Sequence, residues 1–303
     1  MQEIGTDAQS TRVSRSFLFV PADSERKLEK AANSKADALI IDLEDSVASS
    51  ERPGARKTAS HFVASHPDRN LWVRINPLDT EDALLDLREL MPAGPAGIVL
   101  PKPQSARDTI QLAKLLDVFE QESDLDQGQT LIMPIATEQP AALFHLHEYA
   151  NATPRLAGLT WGAEDLSAAV GAASCRDKKG NWLPPYELAR SLCLFAAAAA
   201  NVAAIDTVYT DFRDTEGLAR YAANARRDGF SGMLAIHPAQ VESINEAFMP
   251  SNEEIDRATR IVELFAANPK AGTVGMDGEM IDRPHWVQAK RILDIAERIG
   301  SAR

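Results

Sequence analysis

Nine residues of this chain have the types and spacing that could do chemistry together. Asp42, Glu44 and Asp45 follow one β-branched run, and Arg74 and Asn76 close the next. Lys102, Glu138 and the Glu164-Asp165 pair each come just after a further apolar run. Clustered carboxylates repel one another unless a cation, Arg or Lys neutralises them. Glu138 and Asp165 follow consecutive runs and offer two hard oxygen ligands, a donor set that suits Mg²⁺ with water or substrate completing the shell. Zinc would want His or Cys, and the histidines do not cooperate. His145 and His147 are two apart, so a helix points them to different faces, while His237 before Pro238 reads equally as a rim or a structural residue. Arg74 reads in two compatible ways. One is an electrophile for a carboxylate or a developing enolate oxygen; the other is a salt bridge to Asp42, Glu44 or Asp45. No GxSxG nucleophile elbow is present.

These residues need a scaffold that gathers strand ends. Apolar runs begin near Ser16, Ala38, Leu71, Ala96, Thr130, Leu156, Ala204 and Gly232, and helical patterns lie between them. Strands alternating with helices imply a parallel sheet, and the continuous apolar runs imply strands buried on both faces. Eight units at this spacing predict a (β/α)8 TIM barrel, of roughly 250 residues in its minimal form. The competing doubly wound sheet lacks a GxGxxG after its first strand; Pro21-Ala22-Asp23-Ser24 stands there instead. In a barrel the chemistry sits at the C-terminal strand ends. That places all the residues above on one rim, with Asp206, Tyr209 and Asp211 beyond the seventh strand and His237 at the eighth.

The chain continues past the eighth unit. We expect a barrel over residues 1–245 and a C-terminal helical extension over 246–303. The extension reads as a helix from Asn252 to Ala267, a loop from Asn268 to Glu279 and a last helix after Pro284, with a cap or an oligomer arm as its role. An extended loop over Gly171–Tyr186 is long enough to be functional.

Composition excludes several classes. There are 303 residues, 32 Lys+Arg and 44 Asp+Glu, giving a net charge of −12. That balance is wrong for binding nucleic acid or an anionic membrane. Cys175 and Cys193 are the only cysteines and form no CxxC, so a reducing compartment is expected. The polar N-terminus has no apolar signal segment, and the longest apolar run is far short of the ~18–20 residues that span a bilayer. A cytoplasmic protein is the expectation.

The motifs, in their order and spacing, resemble the citrate lyase β-subunit-like branch of the HpcH/HpaI aldolase superfamily from Arg15 to about Ala296. They are Arg15-Ser-Phe-Leu-Phe-Val-Pro21, Ile41-Asp-Leu-Glu-Asp-Ser-Val47, Val73-Arg-Ile-Asn76 and Gly97-Ile-Val-Leu-Pro-Lys102. Gly162-Ala-Glu-Asp-Leu-Ser-Ala168, Ala204-Ile-Asp-Thr-Val-Tyr-Thr-Asp-Phe-Arg-Asp214, Gly229-Phe-Ser-Gly232, Ile236-His-Pro238 and Met280-Ile-Asp282 follow. Two departures are Gln139-Pro140-Ala141-Ala142 and Met233, where the family more often has a small residue with a glycine and a basic residue.

The resemblance implies a Mg²⁺-dependent carbon–carbon lyase on the barrel. Its substrate would be a 3-hydroxyacyl-CoA of the malyl-CoA or citramalyl-CoA type, cleaved reversibly to acetyl-CoA and a 2-oxo acid. It implies that Glu138 and Asp165 hold Mg²⁺ and that Arg74 meets the thioester carbonyl. Asp42, Glu44, Asp45 and Lys102 would support them. Arg15 and the first strand through Pro21 match a region near the CoA phosphates. Asp282 matches the catalytic carboxylate that the extension delivers to a neighbouring subunit, in a homotrimer or homohexamer. The alternatives are the β subunit of a citryl-carrier lyase acting on an acyl carrier protein, a CoA-independent 2-oxo acid aldolase, and a non-catalytic CoA- or metabolite-binding barrel.

Overall fold

The computed structural model describes residues 14–178 and 180–301. Eight parallel strands alternate with helices in one unit, Ser14–Ala247. The strands are β1 (Ser16–Pro21), β2 (Ala38–Asp42), β3 (Leu71–Arg74), β4 (Gly97–Leu100), β5 (Leu131–Pro134), β6 (Gly158–Thr160), β7 (Ala203–Asp206) and β8 (Gly232–Ala235). The helices are α1 (Glu25–Ala32), α2 (Arg52–Ser65), α3 (Glu81–Leu90), α4 (Ala106–Glu122), α5 (Ala163–Ala169), α6 (Pro184–Ala200), α7 (Thr215–Asp228) and α8 (Val241–Ala247). A 3-10 helix, Pro140–Tyr149, replaces an α-helix after β5.

The sheet runs in the order β5-β4-β3-β2-β1-β8-β7-β6. Parallel bridges Ile132–Leu156 and Ile135–Thr160 join its two edges, so the sheet closes into the expected barrel. Residues of one parity fill the interior. Phe17, Ala38, Ile40, Trp72, Val99, Met133, Ile205 and Leu234 form one buried cluster drawn from every strand but β6. Gly97 makes room for Trp72, since a Cβ there would lie 2.3 Å from the indole ring. Asp42 and Arg74 share the interior parity of Ile40 and Trp72, so both side chains project into the barrel mouth.

Local signals set the helix ends. Ser105 caps α4 by accepting from Arg107 N at 3.2 Å, and Asp214 caps α7 by accepting from Gly217 N at 2.8 Å. Gly229, at φ 117°, ends α7 in a conformation that glycine adopts freely. Met233 is fully buried in β8. No helix among the described residues is long and apolar enough to cross a membrane.

Residues from Phe248 onward belong to a second unit. It contains α9 (Asn252–Ala267), β9 (Thr273–Met276), β10 (Glu279–Asp282) and α10 (Arg283–Ser301). A Ser251/Glu254 capping box starts α9. Here the structure corrects the sequence reading, which took Asn268–Glu279 as a loop. β9 and β10 form an antiparallel hairpin whose turn, Asp277-Gly278, has φ of 51° and 83°. Asp-Gly with both residues at positive φ fits the tight turn that suits the twist of a two-stranded ribbon. Met276 and Ile281 of the hairpin pack with Ile261 and Phe265 of α9 in the unit's own core.

Candidate active site

The mouth of the barrel is built around the Asp42–Arg74 pair. Asp42 ends β2 opposite Pro21 of β1 and Arg74 of β3. Arg74 donates through Nε to Asp42 Oδ1 at 2.6 Å and through Nη2 to Oδ2 at 2.7 Å, a two-pronged fork. Asp42 also accepts from the amides of Glu44 (3.0 Å) and Ser46 (3.2 Å), folding the loop back on itself. That fold brings Glu44 and Asp45 to Arg74 Nη1, at 3.1 and 3.5 Å. The 3.1 Å contact is an ion pair without hydrogen-bond geometry. The guanidinium lies 4.9 Å from the centre of the Phe19 ring, close enough for a cation–π attraction. Burial alone would raise the Asp42 carboxyl, but Arg74, Ser46 and the Glu44 amide hold it below the usual range. Glu44 goes the other way, because burial and its neighbour Asp45 outweigh Arg74 and Lys102. Burial opposes charge on Arg74 too, yet its carboxylate partners raise it, and it stays a cation.

Lys102 ties this half of the mouth to the other. It follows β4 between two prolines, with φ 52°. A non-glycine residue held there carries strain of about 1–3 kcal/mol, a feature that concentrates at functional sites. The strained turn aims its two ends apart. The backbone N–H donates to Glu138 Oε2 at 2.5 Å. The ammonium reaches Glu44 (2.5 Å), Asp45 (3.1 Å) and Asp165 (3.5 Å). Burial disfavours that charge, but Glu44, Asp165 and Asp45 together raise the lysine above its ordinary value.

Glu138 is 2% exposed, just beyond β5. Gly162 forms its cradle: a Cβ there would lie 2.7 Å from Glu138 Cγ and 3.3 Å from Oε1. Burial, followed by the charges of Asp165 and Glu44, pushes the Glu138 carboxyl up to about 8, against the Lys102 amide and Arg74. Asp165 lies in the first turn of α5 and is partly exposed. Among the described residues, the mouth therefore gathers Asp42, Glu44, Asp45, Glu138 and Asp165 around Arg74 and Lys102. Among the described residues no group of three or more His, Cys, Asp or Glu forms a ready metal cage. Two carboxylates in surplus negative charge, one of them buried and hard to ionise alone, fit a Mg²⁺ ion that keeps most of its shell for water and substrate.

The other residues singled out from the sequence have partners of their own. Arg15 stands at the foot of β1, the opposite end from Pro21, with Nε and Nη2 each 2.8 Å from Asp37. Asp206 alternates with interior Ile205 and so faces the helices, fully buried against Trp161, Arg190 and Tyr221. Glu164 lies 3.7 Å from the Cys175 thiol, and Tyr209 donates to Asp214 at 2.7 Å. Asp211 accepts from the Arg213 amide. His237 accepts from Ala239 N and stacks on Phe212, as a cap to a short 3-10 turn. Asp282 belongs to the second unit, 2.5 Å from His285 Nδ1, which holds its carboxyl below the usual range. The Gly162 cradle and the Phe19 contact were not read from the sequence. A glycine directly before Ala-Glu-Asp was the available signal for the first.

A family model described as HpcH/HpaI aldolase/citrate lyase matches residues 15–238. The chain belongs to this family. It is 34% identical over 294 residues to citrate lyase subunit beta of Haemophilus influenzae, covering 94% of this chain and 98% of the relative. It is also 34% identical over 293 residues to the (3S)-malyl-CoA thioesterase of Cereibacter sphaeroides, covering 95% and 96%. The solved structure of CitE from Mycobacterium tuberculosis, in complex with magnesium, acetoacetate and coenzyme A, matches with a TM-score of 0.75 at 33% identity. It covers 94% of this chain and 99% of that one. As an HpcH/HpaI aldolase/citrate lyase protein of the citrate lyase β-like branch, the chain is a carbon–carbon lyase on a TIM barrel.

Proposed function

We propose that this enzyme cleaves a 3-hydroxyacyl-CoA thioester, of the malyl-CoA or citramalyl-CoA type, to acetyl-CoA and a 2-oxo acid, with Mg²⁺ held by Glu138 and Asp165. The observation that carries this reading is the Lys102 turn, which joins the Arg74 fork to Glu138 and Asp165 in one mouth with surplus negative charge. The magnesium, CoA and oxo-acid complexes of its relatives support it.

The cleavage must place a pair of electrons on the thioester. Transfer of the hydroxyl proton to water gives an alkoxide, which collapses to the oxo-acid carbonyl as the carbon–carbon bond breaks. The electron pair passes to the thioester as an enolate. Bound Mg²⁺ would supply Lewis acidity toward the hydroxyl and carboxylate oxygens of the oxo-acid half. Arg74, locked by its fork on Asp42, presents a fixed cation to the enolate oxygen without reorganising. Lys102 holds Glu138 and Asp165 in place. Asp282, contributed by a second copy in a homotrimer or homohexamer, would act as general acid/base at the acetyl carbon, relaying to it a proton from water. Pro21 would line the thioester side of the mouth. Arg15 braces the barrel floor in this reading.

Its likeness to citrate lyase β subunits supports one second reading, an acyl carrier protein thioester as the substrate. Purified protein incubated with malyl-CoA or citramalyl-CoA, with Mg²⁺ and then with EDTA, tests both. Mg²⁺-dependent acetyl-CoA and the matching oxo acid, detected by mass, are expected. Free CoA with malate would make it a thioesterase. Silence with CoA thioesters but turnover of a citryl carrier would establish the second reading.

A further inference from the structure

Among the described residues, the carboxylate that accepts the most hydrogen bonds lies outside the mouth. Asp206 Oδ1 accepts from Trp161 Nε1 (2.7 Å), its neighbouring Thr207 amide (2.9 Å) and Tyr221 Oη (3.1 Å). Its Oδ2 accepts from Arg190 Nη2 (2.7 Å) and Nε (3.0 Å). Asp206 and Trp161 are both 0% exposed. The reaction uses none of these groups. A buried ion pair of this kind is generally no better for stability than apolar side chains of the same volume, and its best-attested use is to fix one arrangement among several.

What it fixes follows from the chain. Trp161 directly follows the shortest strand of the barrel, β6, where the described residues close the sheet through isolated bridges to β5. The next residue, Gly162, is the cradle of Glu138, and its amide donates to Thr137 Oγ1 at 3.3 Å. Three residues further lies Asp165. The indole N–H on Asp206 therefore pins the turn that carries one proposed metal ligand and packs on the other.

We infer that Asp206, clamped by Arg190, is a positioning residue that acts through Trp161 to set Gly162 and Asp165 against Glu138 for the divalent cation. This rests on the Glu138/Asp165 metal reading. Outer groups that orient metal ligands typically change affinity by about 10–100-fold when removed.

The test is Mn²⁺ and Mg²⁺ affinity by calorimetry on the full-length protein, beside thermal unfolding and separate kcat and KM values. Trp161→Phe removes the indole donor and also shrinks a buried ring; Tyr221→Phe removes a weaker donor at nearly constant volume. Asp165→Asn is the control for the metal site itself. We expect Trp161→Phe to weaken Mn²⁺ about tenfold or more, Tyr221→Phe to weaken it severalfold, and kcat to recover at saturating metal. Unchanged Mn²⁺ affinity in both, with affinity lost in Asp165→Asn, would overturn the positioning role alone, whatever happened to the melting temperature. Unchanged affinity in Asp165→Asn would overturn the metal reading and this inference with it.

Discussion

The floor and the mouth of the barrel each bury a glutamate, and the two are in opposite states. On the floor, Glu120 is 0% exposed and accepts from Arg155 Nη1 and Nη2 at 2.8 and 2.5 Å and from the amides of Gly128 and Thr130. Burial alone would raise it, but those donors hold its carboxyl at about 2. In the mouth, Glu138 is 2% exposed, has one amide donor, and stands at about 8. The difference is one of charge matching. Arg155 also donates to Thr130 O, and its own carbonyl accepts from Ile132 N, so the floor ion pair doubles as the closure of the β5–β6 seam. The floor is complete as folded. The mouth has more negative charge than its two cations offset, and a divalent cation would complete it.

The largest effect expected from breaking this contrast is on the floor. Arg155→Ala leaves Glu120 buried without its cation and opens the seam. It should destabilise the barrel by about 3–5 kcal/mol in chemical unfolding. The specific activity of the fraction still folded should change little. A large loss of turnover per folded molecule would mean that the floor is not separate from the chemistry.

Asp165→Asn inverts that pattern. Turnover should fall about 10²-fold or more and Mg²⁺ dependence should vanish, while the unfolding midpoint stays near that of the parent. Mixed oligomers of Asp282→Asn and Arg74→Ala subunits sharpen the same point. Partial recovery of activity is expected when each inactive copy completes the other's site, and none would count against sharing.

How much of this contrast the sequence carried depends on parity and partners. Strand spacing was enough to predict the barrel, because each apolar run reports burial on both faces. Alternation would also have separated the acids: Asp42 shares a face with Ile40, whereas Asp206 alternates with interior Ile205 and turns outward. Rim position without that parity grouped them together. The left-handed turn at Lys102 left no composition signal, since a lysine seldom adopts it and only the Glu138 contact explains it. Asp277-Gly278 did carry a hairpin signal, hidden because its flanking strands are exposed on one face and read as polar loop. Arg15 precedes a strand instead of ending one, which by the barrel rule already assigned it to the floor.

Paired neutralisations compare the two glutamates directly. Glu120→Gln removes an ionised acceptor from Arg155 and should lower the melting temperature at pH 7 by several degrees. Glu138→Gln removes a carboxyl that resists ionisation and should leave metal-free protein as stable or more stable above pH 8, while abolishing Mg²⁺-dependent turnover. If both substitutions destabilise alike, the two sites do not differ as their surroundings imply.

The smallest effect is a slope. Glu138 titrates at about 8 when folded against an ordinary value of 4.5, so the folded metal-free protein binds more protons than the unfolded chain between those values. Stability from this group is complete below pH 4.5 and declines as pH rises through 8. Glu120 has the opposite sign, contributing fully above about 4.5 and losing its contribution as pH falls toward 2. In EDTA the melting temperature should therefore drift down by a few degrees from pH 5.5 to 8.5, and Glu138→Gln should flatten that drift. Mg²⁺ should also flatten it, because a cation in the mouth favours the carboxylate, and its binding should release protons that calorimetry in buffers of different ionisation enthalpy would count. A drift that persists unchanged in Glu138→Gln would assign it to another group and leave the mouth no more strained than the floor.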